Sequence, residues 1–158
     1  MSAIAFAGSM RNNLVQMMDE LNVGRFYKAD SFADLFGTRH LAYSSVLKYP
    51  VFTGGKNYSG RSPNLLSHPF LRSMLKNELT AELQRLSQCL IIPLGKKAEE
   101  GFSFIQDSID SNSMQVLNGF PHPSGANAHR VRQFRENRKN LHRQIDEWFK
   151  SKSSPIPN

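Results

Sequence analysis

Cysteine is nearly absent: the 158 residues hold one, Cys89. A single cysteine permits no internal disulfide, no cysteine zinc cage and no iron–sulfur cluster. It lies in the apolar run Cys89-Leu90-Ile91-Ile92 and reads as a small buried hydrophobe. Long apolar runs are missing as well, since no stretch approaches the roughly 20 residues of a membrane span. Met1 to Gly8 is mildly apolar, but it has no basic leader and is too short for the apolar segment of a secretion signal. His129 and His142 flank nothing at metal-ligand spacing, and His40 and His68 fall in expected loops, where capping or surface roles are commoner than ligation. Gly95-Lys96-Lys97 follows a strand-like run, yet the glycine and the Ser or Thr that a phosphate-binding loop needs are not there. Nor is there a Gly-x-Ser-x-Gly nucleophile elbow, which weakens a small-molecule hydrolase reading built on histidine.

Acidic residues are also scarce, 13 against 20 Lys and Arg, for a formal net charge of +7. That balance favours a polyanionic partner, nucleic acid first and an acidic membrane surface second. With 39% hydrophobic and 21% charged residues the chain is globular in composition. It is long enough for one domain, expected over 1–150, with a flexible polar tail at 151–158.

The patterning predicts strands alternating with helices. Ser9 is expected to cap a helix carrying Leu14, Met17, Met18 and Leu21, ended by Asn22 and Gly24. Ser31 and Asp34 form a capping-box pair that opens one short turn, closed by Gly37. Leu41 to Leu47 reads as a strand. A long loop, Lys48 to Ser67, mixes Lys48, Lys56 and Arg61 with Tyr49, Phe52 and Tyr58. Base stacking beside phosphate contacts needs that mixture, and a mobile solvated loop is the equal alternative. Pro69 to Leu86 is an amphipathic helix whose apolar side includes Phe70, Leu71, Leu75, Leu79 and Leu83. Cys89 to Leu94 reads as a buried parallel strand, Ala98 to Ile109 as a helix, and Met114 to Leu117 as a short strand. A last basic helix, Ala128 to Lys150, carries the stripe Val131, Phe134, Leu141, Ile145 and Trp148. Arg130, Arg132, Arg135, Lys139 and Arg143 lie mostly off it.

Between the last strand and the last helix stands Asn118-Gly-Phe-Pro-His-Pro-Ser-Gly-Ala-Asn127. Open α/β sheets place ligands in such strand-to-helix loops. Pro121 and Pro123 restrict the backbone on both sides of His122, so the imidazole is held. Ser124 and the amides leading into the helix suit an anion such as a DNA phosphate.

Four segments, in order, resemble the uracil-DNA glycosylase superfamily: Ala5-Phe6-Ala7-Gly8-Ser9-Met10-Arg11-Asn12-Asn13-Leu14, Tyr43-Ser44-Ser45-Val46-Leu47, Leu90-Ile-Ile-Pro-Leu-Gly-Lys96, and His122-Pro123-Ser124. The resemblance implies a three-layer α/β/α fold with a short, mainly parallel central sheet. It implies excision of uracil or a related damaged base flipped out of DNA, by a monomer that needs neither metal nor cofactor; the single cysteine fits a reducing, cytoplasmic setting. Carried over by position, Phe6 stacks on the base, Ser44 reads its edge, and His122 is catalytic. Ser9, Ser124, Lys56 and Arg130 take DNA phosphates. The family's bulky wedge after the His-Pro-Ser motif is replaced by the small Gly125 and Ala126, which leaves Asn127, or Arg130, for that task.

Two departures accompany the likeness. The family's first motif, a Gly-containing loop with a water-positioning Asp or Asn, belongs upstream of Phe6 and is not among these residues. The expectation is an N-terminally shortened relative without the first sheet strand, or a different start. Many relatives also read uracil with an Asn near the position of Ser44. A serine lacks that donor–acceptor pair, leaving Asn57 or Ser45 to compensate. The alternative function is a catalytically inactive DNA-binding relative.

Overall fold

The computed structural model describes residues 7–60, 62–109 and 114–153. They form two compact units. One unit joins the residues up to Tyr43 with those from Leu117 onward, and the other is Ser44–Val116.

The first unit opens with α1, Gly8–Glu20. Gly8 takes a positive φ of 59°, open to glycine at little cost, and this starts the helix one residue ahead of Ser9. Ser9 therefore lies in the first turn, and the cap position falls to Ala7, which makes no side-chain cap bond. The expected apolar face is correct: Leu14, Met17, Met18 and Leu21 are buried. Asn22 leaves the helix in the left-handed region, and a 3-10 turn follows at Val23–Tyr27.

Ser31 and Asp34 form the capping box, opening the turn Phe32–Leu35. Asp19 at the end of α1 fixes that turn from the other side. Its carboxylate accepts from Ser31 Oγ at 2.9 Å and from Phe32 N–H at 2.6 Å. Helix α5, Arg130–Ser153, completes the unit and continues into the stretch expected as tail. Residues 154–158 lie outside the described part. Phe134, Leu141, Ile145 and Trp148 are buried as expected, whereas Val131, assigned to the same stripe, is 60% exposed.

The second unit holds the parallel strand pair. In it β3, Cys89–Ile91, lies beside β4, Met114–Val116, in the register Cys89↔Met114, Leu90↔Gln115, Ile91↔Val116. Helix α4, Lys96–Ile105, lies between them in sequence, as parallel pairing requires. Helices with a small parallel sheet make the chain α/β. Both strands are shorter and less buried than their apolar sequences suggest, and Cys89 is half-buried.

The amphipathic helix runs as α2, Pro69–Met74, one π-wound turn, Leu75–Leu79, and α3, Thr80–Leu83. The wide turn brings Thr80 onto the buried side, where its Oγ1 donates to the Leu75 carbonyl at 3.3 Å. It also keeps Leu71, Leu75, Leu79 and Leu83 in one core with Leu65, Phe102 and Ile105. Phe70, predicted on that side, is 58% exposed. Gly101 lets α4 press closely here, since a β-carbon on it would stand 2.7 Å from Val46 Cγ1.

Leu41 to Leu47 is not a strand. Among the described residues it has no ladder partner, and its side chains make the contacts instead. Tyr43 stacks on Phe36, with ring centroids 5.8 Å apart, and Ser44 Oγ donates to Glu82. The expected loop from Lys48 to Ser67 contains an antiparallel hairpin, β1 (Phe52–Thr53) and β2 (Lys56–Asn57), turned by Gly54 and Gly55 at positive φ.

Candidate functional site

The loop from Asn118 to Asn127 belongs to the first unit and is built by alternation. Leu117, Phe120, Pro121 and Pro123 point inward and are buried, while His122 between the prolines is exposed. Phe120 meets Phe134 of α5 edge-on at 6.2 Å. The apolar residues thus sink the loop into the unit and turn the imidazole outward.

Side-chain amides then pin the backbone. Asn13 Nδ2 on α1 donates to the Pro123 carbonyl at 2.8 Å. Asn137 Nδ2 on α5 donates to the Gly119 carbonyl at 2.9 Å. The Gln144 amide faces Asn118, accepting from its N–H at 3.4 Å. Gly119 has φ +90°, and a β-carbon there would stand 3.3 Å from Asn137 Nδ2. Both the positive φ and the close approach favour glycine here.

The imidazole has a defined tautomer. The Ser124 N–H donates to His122 Nδ1 at 3.2 Å, so this nitrogen is the acceptor and the neutral ring carries its proton on Nε2. Packing by the loop lowers the His122 pKa from its ordinary 6.5 through desolvation. Near neutral pH the ring is therefore an uncharged donor through Nε2.

The expected phosphate residues of this unit gather around the loop. Ser9 Oγ lies 3.4 Å from where a side chain on Gly125 would begin, which puts the start of α1 against the loop. Ser124 Oγ accepts from Ala126 N–H at 3.1 Å, and its carbonyl accepts from Arg130 Nη1 at 2.8 Å. Arg130 thus braces the loop and keeps further N–H donors on its guanidinium.

Asn127 is a strut. Its Nδ2 donates to the His122 carbonyl and to Gln133 Oε1, both at 3.1 Å, and its Oδ1 accepts from His129 N–H at 3.2 Å. A wedge role would require breaking all three bonds. The basic face of α5 is partly paired, through Arg143–Glu147 at 2.9 Å and Arg138–Glu20 at 3.7 Å. Exposed pairs of this kind contribute about 0–1 kcal/mol each.

Phe6 lies outside the described residues. Ser44 and Lys56 belong to the second unit. Ser44 Oγ donates to the Glu82 carboxylate, which Lys48 Nζ also meets at 2.6 Å. Burial pushes the Glu82 pKa up, but the hydrogen bonds from Lys48 and Ser44 and the charges of Lys48 and Arg85 outweigh it and leave it lowered. Lys56 is exposed on β2.

Asn13, Asn137, Gln144 and Glu82 escape a sequence reading. Only Asn13 carries a signal, as part of the Arg11-Asn12-Asn13 opening of α1.

The chain is similar to a protein of Bacillus subtilis (strain 168) described as the uncharacterized protein YoxB, with 44% identity over 149 residues and 90% of this chain aligned. It spans 57% of the length of that relative. No family model matches the chain, and no solved structure matches it. No helix among the described residues is long and apolar enough to cross a membrane.

Proposed function

We propose that the chain is a uracil-DNA glycosylase-like protein that hydrolyses the N-glycosidic bond of uracil, or a related damaged base, flipped out of DNA. The observation that carries the reading is the His122 clamp, in which Ser124 N–H holds Nδ1 and leaves Nε2–H facing outward. Cleavage of the bond leaves the base with the electron pair and the sugar C1′ with positive charge, to which water adds. A neutral Nε2–H donor aimed at a base carbonyl stabilises the charge on the departing base. Such a donor lowers the barrier by about 3–4 kcal/mol.

Ser9, Ser124 and Arg130 surround this loop with donors suited to phosphate oxygens. In the same reading Phe6 stacks on the base, Ser44 or a neighbour reads its edge, and Lys56 adds a phosphate contact. The reading also carries a three-layer α/β/α arrangement around the β3–β4 pair, a monomer in the cytoplasm, and chemistry without metal or cofactor.

The test is excision from a labelled oligonucleotide holding one uracil, with alkali revealing the abasic product. Wild type cleaves, and His122→Ala loses about 100-fold or more in rate. Equal rates remove His122 from the chemistry. Salt-sensitive DNA binding by the wild type with no abasic product turns the assignment to a non-catalytic DNA-binding relative.

A further inference from the structure

Tyr49 and Phe52 are 59% and 63% exposed, although aromatic rings dominate core energetics when buried. They stand three residues apart on a segment that is anchored at its base. Tyr58 N–H donates to the Val51 carbonyl at 2.8 Å, and Tyr58 OH donates to the Pro63 carbonyl at 2.6 Å. The Tyr58 ring packs against the core of the second unit. Phe52 pairs with Asn57 and Thr53 with Lys56 across the hairpin, and Gly54 and Gly55 close it in two residues. The third aromatic residue of the segment thus turns inward to fasten the ribbon, and the other two are held out in water.

Along the chain, the segment that carries the hairpin has charge of one sign. From Leu35 through Asn77 there is no acidic residue, while Arg39, Lys48, Lys56, Arg61, Arg72 and Lys76 are all cationic. Lys48 is engaged by Glu82, which leaves Lys56 as the described cation of the ribbon itself. Exposed rings beside cations suit a ligand that offers flat apolar faces and a negative backbone together. A duplex hides its base faces in the stack, whereas a single strand presents them.

We infer that the β1–β2 hairpin, with Tyr49, is an arm that binds single-stranded DNA. Phe52 and Tyr49 stack on unpaired bases, and Lys56 meets the phosphate backbone. The identity of the polyanion as DNA rests on the function proposed above, but the arm requires no catalysis.

The experiment is fluorescence anisotropy of the full chain with a labelled oligothymidylate of about 20 nucleotides and a duplex of equal length. Wild type prefers the single strand. Phe52→Ala and Tyr49→Ala each weaken it about tenfold, Phe52→Trp retains affinity, and Lys56→Ala reduces the salt slope by about 0.7. Unchanged thermal melting shows that the variants fold.

Single-strand affinity within about twofold of wild type for both alanine variants overturns the arm, because one stacked base contributes more than that. Equal losses on the duplex overturn its strand preference. The two proposals fail separately. Ring-dependent binding without excision keeps the arm and removes the glycosylase. Excision with ring-independent binding does the reverse.

Discussion

Gly119→Ala tests the geometry that holds the His122 loop. The native φ of +90° is one that a residue with a β-carbon adopts at a cost of about 1–3 kcal/mol. The new methyl would stand 3.3 Å from Asn137 Nδ2, so that side chain must yield by a few tenths of an ångström. Its hydrogen bond to the Gly119 carbonyl weakens as it moves, a further loss of about 1 kcal/mol. The sum, about 2–4 kcal/mol, corresponds to a fall in Tm of roughly 5–15 °C for a chain of this size.

Thermal unfolding followed by circular dichroism measures it, with Asn137→Ala and the double variant completing a cycle. The two changes share one contact, so the double variant loses less than the sum of the singles. A Gly119→Ala protein that melts within a degree of wild type, or a strictly additive cycle, refutes the reasoning. Gly54→Ala is the internal comparison: its φ is +56° but, among the described residues, nothing lies within 4 Å of a β-carbon there, so it carries conformational strain without a crowded neighbour.

Two further outcomes are expected. For His122, protonation abolishes the Nδ1 acceptor that Ser124 N–H uses, and the folded pKa lies below the ordinary 6.5. The stabilisation is therefore whole above 6.5 and is lost as pH falls through the lower folded value. Nitrogen-15 NMR of the ring should show Nε2–H at neutral pH, and an Nδ1–H tautomer or a pKa above 6.5 contradicts the clamp. In the core, Leu141→Ala removes a side chain that is 0% exposed and should cost about 2–5 kcal/mol in denaturant unfolding. Val131→Ala, at a 60% exposed position of the same helix, should stay within about 0.5 kcal/mol, and equal losses would deny α5 the face described.

Much of the local order is readable in the chain. The stripe through Leu14, Met17, Met18 and Leu21 specifies α1, and Ser31 with Asp34 specifies a capping box, because both signals act within one or two helical turns. The Gly54-Gly55 pair is a hairpin signal as well, overshadowed by the polar segment around it. Leu41 to Leu47 misleads for the opposite reason: strand-like residues make a strand only when a partner ladder reaches them. Phe70 and Val131 sit at helical spacing from buried neighbours yet at the edge of the stripe, where periodicity alone does not separate covered from exposed.

The sequence by itself determined a basic chain whose apolar runs follow one another as strand, helix and strand, and a proline-braced histidine between the last strand and the last helix. Those features rest on composition, periodicity and the fixed φ of proline, which need no distant partner. Tertiary structure alone decided that Asn13 grips Pro123 across 110 positions, that Asn127 is a strut, and that Ser124 sets the tautomer of His122. A side-chain amide bonded to a remote carbonyl leaves no periodic trace in the chain, because its partner is chosen by packing.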